Sequence, residues 1–104
     1  MRKYLFIAAL LTAGVVRAED QMELGKSVYM TLCVACHQPT GAGLPPVFPP
    51  LTQTEYVSES PERFAAMILK GVMGPMTVKG MAYANVMPPQ EALLTDEKIA
   101  AALT

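Results

Sequence analysis

This chain of 104 residues has a single histidine and only two cysteines. A structural zinc site takes four Cys or His ligands, so Cys33, Cys36 and His37 are too few to build one. Charge is also sparse, with 16% Asp, Glu, Lys and Arg, and the formal net charge is -1. A nucleic-acid partner is therefore not expected, since such binding needs a basic surface. No strand pattern precedes Cys33, which argues against a thioredoxin-like redox pair. Internal repeats and low-complexity tracts are absent. The N-terminal apolar run, residues 4–16, is 13 residues long. Crossing a bilayer takes roughly 20.

That run reads instead as part of an export signal. Arg2 and Lys3 form a basic start, and Val16, Arg17 and Ala18 form a small-residue cleavage site. Residues 1–18 are thus expected to be a cleavable signal peptide and residues 19–104 one small domain, with a membrane contact only if the signal stays uncleaved. The mature part has five basic and nine acidic residues, a net charge of -4. Lys26, Lys70 and Lys79 could frame a binding edge, but a broad lysine ring is not available. A domain of this size buries only about 60–65% of its unfolded surface, so its own core is marginal and another apolar body is needed.

Cys33-Val34-Ala35-Cys36-His37 supplies the reason for such a body. The C-x-x-C-H spacing is that of covalent c-type haem attachment. On a helix the offsets i, i+3 and i+4 share a face, so two sulfurs and one imidazole point at one object. Thioether bonds to the haem vinyl groups would fix the ring, with His37 reaching the iron. A haem-free thiol redox protein using Cys33 and Cys36 is the competing reading of the same residues.

The rest of the chain predicts helices separated by loops. Asp20 and Glu23 suggest a capping box opening a first helix, whose Met22, Leu24, Val28, Leu32 and Cys33 recur at helical spacing through to His37. Seven prolines and glycines within residues 38–50, among them Gly41, Gly43, Pro45, Pro46, Pro49 and Pro50, exclude regular structure there. Ser60 and Pro61 cap and open another helix, carrying Phe64, Met67 and Ile68 and closing at Gly71. A Met-rich loop follows, and a last helix starts at Thr95 with Asp96 and Glu97 against its dipole.

Taken together, Gly25, Tyr29, the haem motif, Phe48-Pro49-Pro50-Leu51, Met87-Pro88-Pro89 and Leu94-Thr95-Asp96-Glu97 resemble a small class I c-type cytochrome, a bacterial monohaem cytochrome c. The resemblance implies an all-α cytochrome c fold, with three to four short helices and long loops wrapped around one covalent haem c. It also implies Pro49 as the residue whose carbonyl orients His37. The family's last helix runs further than the ten or so residues available here, about 15 Å, so a smaller helix contact and a less stable fold are expected. The C-terminal helix is open to being a truncated one.

The sixth ligand decides between a carrier and a haem that binds gases. His37 is the only histidine, so a methionine is the remaining choice, and a thioether favours ferrous iron. Met67, Met73, Met76, Met81 and Met87 lie beyond the loop. Met87 is preferred because Pro88 and Pro89 stiffen its backbone, and because its place before the last helix matches the family's axial Met; Met81 is the alternative. Tyr29 and Phe48 are expected to pack rather than to react, and Tyr83 to reach a haem propionate or the ligand loop.

The expected protein is a periplasmic single-electron carrier, not an enzyme, holding haem c through Cys33, Cys36, His37 and Met87, with His37 and Met87 on the iron. It would exchange electrons with a dehydrogenase, reductase or terminal oxidase, as a monomer or as a subunit of a complex. A dedicated subunit would co-purify with its partner. An open haem would bind carbon monoxide rapidly.

Overall fold

The computed structural model describes residues 17–104, so the expected leader lies outside the described residues except for Arg17 and Ala18. The first helix, α1 (Ala18–Leu32), opens after Arg17 with no side-chain cap. Asp20 therefore sits within the first turn beside Glu19, and the capping box expected from it is not used. Ala18 is a strong helix former and starts the helix three residues earlier than a cap at Asp20 would, where both carboxylates still meet the positive end of the dipole. The helix expected to continue unbroken to His37 is interrupted at Cys33, and a separate turn, α2 (Val34–His37), follows. Cys33 bridges the two: its N–H donates to Tyr29 O at 2.9 Å, and its carbonyl accepts from His37 N at 2.9 Å.

Two short helices pack next to each other further along. Thr54 caps α3 (Glu55–Glu59) by accepting from Val57 N. Ser60 caps α4 (Pro61–Lys70) by accepting from Arg63 N, with proline in the first turn and Gly71 closing the helix, as the sequence indicates.

The Met-rich segment is more ordered than a loop. Strands β1 (Met76–Val78) and β2 (Met81–Tyr83) pair antiparallel, with Met76 opposite Tyr83 and Val78 opposite Met81. Lys79 and Gly80 turn the chain at φ 50° and 81°, the two positive values that a two-residue hairpin turn of the twisted type requires. The hairpin rests on α3. Lys79 N donates to the Glu55 carboxylate at 3.2 Å, and Tyr56 OH donates to Thr77 O at 3.2 Å. The fold remains predominantly helical, with this hairpin added to it.

A short 3-10 turn at Glu91–Leu93 leads to Thr95, which caps α5 (Asp96–Ala102) by accepting from Lys98 N at 3.2 Å. Helix α5 crosses α1, the most extensive helix contact among the described residues. The crossing is close because Gly25 has no side chain: a β-carbon there would collide with the Ala101 carbonyl. Val28, Ile99 and Ala101 are buried around this point. No described helix is long and apolar enough to cross a membrane.

Gly25→Ala must push α5 off α1. Its expected cost is about 1–3 kcal/mol, the usual penalty for overpacking, read as a lower urea midpoint for the purified protein.

Candidate functional site

Between α2, the proline-rich loop, α4 and the hairpin lies a cavity of about 340 Å³. Its size falls in the range of about 300–1,000 Å³ typical of small-molecule and cofactor sites. Cys33, Cys36, His37 and Pro49 form one wall, and Phe64, Met67 and Ile68 of α4 form a floor. Met76, Val78 and Tyr83 of the hairpin, together with Met87, complete it. The lining is overwhelmingly apolar, which suits a porphyrin rather than a hydrated ion. Among the described residues, no three His, Cys, Asp or Glu side chains converge as a bare metal ion would need.

The interruption at Cys33 puts the attachment motif on its own short turn. His37 ends that turn, buried, and its Nδ1 lies 2.9 Å from Pro49 O. A carbonyl can only accept, so Nδ1 carries a proton, the arrangement in which Nε2 of a neutral ring has its lone pair for a metal. The loop holding that carbonyl is itself tied back. Gly43 N donates to His37 O at 2.9 Å, Leu51 N to Gly41 O at 2.7 Å, and Tyr29 OH to Gln38 O at 2.6 Å.

On the other side, Met87 is fixed through its backbone. Its N–H donates to Val72 O at 2.9 Å and its carbonyl accepts from Val72 N at 3.0 Å, while Gln90 N donates to Ile68 O. Gly71, at φ 77°, lets the two segments meet, since a β-carbon there would lie 2.6 Å from Met87 O. Of the remaining methionines, Met67 and Met76 also line the cavity. Met81 and Met73 do not, and they are 45% and 83% exposed.

Residues 20–104 match the protein family described as cytochrome C oxidase, cbb3-type, subunit III. The chain belongs to the c-type cytochrome family. It is also similar to two curated proteins named Cytochrome c-552 from Thermus thermophilus. One is 37% identical over 107 residues, covering 97% of this chain and 68% of the relative. The other is 40% identical over 85 residues, covering 76% of this chain and 62% of the relative. The cofactor of this cytochrome is a covalently bound haem c, and the apolar cavity, paired thiols and oriented imidazole are the parts that such a group requires.

Several cavity residues carry no motif of their own. Thr54 lines the wall while capping α3, and a Thr before an Asp- or Glu-led turn is the signal for that cap. Tyr83 is buried in the wall across from Met76, a placement that follows from the hairpin register. Asn85 also faces the cavity, and no spacing rule identifies it.

Burial, and then the neighbouring Cys36, push the Cys33 thiol above its ordinary value. Burial first, and Cys33 second, likewise raise the Tyr29 phenol, opposed by the nearby Gly41 backbone N–H, which favours the ionised oxygen. Because the thiolate is the reactive form, alkylation of Cys33 in haem-free protein should need a higher pH than a small-molecule thiol. Rates of iodoacetamide labelling against pH, resolved by peptide mapping, test this; a profile at or below the reference thiol contradicts it.

Proposed function

We propose that this cytochrome is an exported, periplasmic single-electron carrier in which Cys33 and Cys36 hold haem c by thioether bonds and His37 and Met87 ligate the iron. When bound, the group supplies reversible one-electron chemistry between Fe(II) and Fe(III). The observation that carries the reading is the 2.9 Å contact from His37 Nδ1 to Pro49 O, which fixes the ring of a histidine in the wall of a cavity that Met87 also lines.

Each residue has a stated task. Pro49 fixes the tautomer and the plane of His37 and makes the imidazole a better donor. Met87 contributes a soft thioether that favours the reduced state and raises the reduction potential. Its place in the cavity wall, with Met81 and Met73 outside it, supports Met87 over those alternatives. Pro88 and Pro89 stiffen the chain just beyond the ligand. Phe64, Ile68 and Val78 keep water from the ring. With His37 and Met87 both given to the iron, the site would offer a substrate no ligand position, and the group would supply electron transfer alone.

Partners would be redox proteins, a dehydrogenase, reductase or terminal oxidase, meeting the exposed ring edge in a small and transient interface. Of the lysines expected to frame that edge, Lys70 pairs with Glu91 at 3.1 Å on the surface, whereas Lys79 is held to Glu55 through its backbone N–H and not through its ammonium. The matched family description, an oxidase subunit, favours a second reading as a subunit of such a complex. Co-purification of a stable partner would establish it over the free carrier.

Mass spectrometry of protein exported from cells tests attachment and processing at once. A gain of one haem with loss of residues 1–18 is expected, and two unmodified thiols would remove the reading. In the haem-loaded protein, Met87→Ala should abolish the weak near-infrared thioether-to-iron charge-transfer band. Persistence of the band would transfer the role to another methionine.

A further inference from the structure

Asn85 Nδ2 donates to Val47 O at 3.1 Å. Asn85 stands two residues before Met87, and Val47 two residues before Pro49, whose carbonyl orients His37. Both residues line the cavity. Among the described residues, this is the only hydrogen bond joining residues 38–54 to residues 80–90. The bond thus connects the loop that serves the imidazole to the loop that carries the thioether, across the hollow between them.

The two edges of the Met87 segment are held very differently. Val72 grips Met87 itself through paired backbone bonds. Toward the proline-rich loop the segment has little packing, since Asn85 is exposed and Val86 is 59% exposed. One side-chain amide is the fastening on that edge. We propose that Asn85 is a positioning residue, a strap that keeps the Met87 loop closed over the haem and sets how readily a competing ligand displaces Met87. This rests on the His37 and Met87 ligation proposed above.

The physical argument is one of populations. Displacement of a thioether by an added ligand requires the loop to swing away, and the rate follows the fraction of time it is open. Asn85 adds one amide-to-carbonyl bond to the closed form alone. It contributes nothing to the open form, where both groups meet water. Removing the donor should raise the open fraction by about three- to tenfold, the usual net effect of one such bond.

Imidazole binding to the ferric holoprotein, followed by loss of the thioether charge-transfer band, measures this. Asn85→Ala and Asn85→Asp should each bind imidazole about three- to tenfold faster than the parent. The aspartate keeps the shape but turns a donor into an acceptor facing Val47 O. Asn85→Gln keeps the amide on a longer stem and should recover most of the parent rate. Because the bond belongs to the closed form alone, the urea midpoint of the Ala and Asp variants should fall slightly, by no more than the same three- to tenfold change in the folded-to-unfolded ratio, and that of the Gln variant should stay near the parent. A parent-like rate in both the Ala and Asp variants overturns the strap. So does a Gln variant as fast as Ala, or a fall in stability far larger than the change in imidazole rate, which would mark general unfolding rather than opening of one loop. Met87→Ala measured alongside separates the two ideas: a band that survives there removes the ligand assignment, whereas loss of the band with parent-like Asn85 variants removes the strap alone.

Discussion

The protein's interior is built to enclose something rather than to close on itself. Among the described residues only Val28, Val78, Tyr83, Ile99 and Ala101 are buried hydrophobics. Phe64, Met67 and Ile68, which form the apolar stripe of α4, are only half-buried because they face the cavity. In a chain of this length an all-protein core is marginal, and a porphyrin supplies the missing apolar mass. Folding, cofactor attachment and function are therefore one problem with one solution. The α1 and α5 crossing, tightened by Gly25, forms the part of the core that needs no cofactor.

The proline-rich loop is ordered by its own hydrogen bonds, and this is what makes it useful. A carbonyl on a loose loop would orient an imidazole poorly. Here the loop is pinned at His37 O, at Gly41 O and, through the phenol of Tyr29, at Gln38 O. Tyr29 acts from the preceding helix, so α1 does more than carry the attachment motif to its place. It also clamps the turn that follows the motif.

Much of this is legible in the sequence alone. The C-x-x-C-H spacing, the Ser60 and Thr95 caps, Pro61 at a helix start and Gly71 at its end are local signals, readable because their physics is local. The Pro49 contact came from family resemblance, since a contact between residues 37 and 49 depends on the path of a loop. The hairpin leaves little trace in the sequence because its strands are three residues long and its turn uses Lys79, a residue seldom found at positive φ. Asp20 misled because an acidic residue suits both a cap and a first turn, and only the start of the helix tells them apart. Asn85 is invisible in the sequence, as its partner is a backbone carbonyl 38 residues away.

The paired bonds between Val72 and Met87 have an energetic consequence under the proposed ligation. A thioether binds ferric iron weakly, and a freely hanging one would move outward on oxidation. Here the backbone that bears the sulfur is a rung of an antiparallel bridge, so its position is set by peptide hydrogen bonds that do not sense the charge on the metal. With the ligand so held, the nuclei would rearrange little as the electron leaves, which would keep the reorganisation energy for the exchange small.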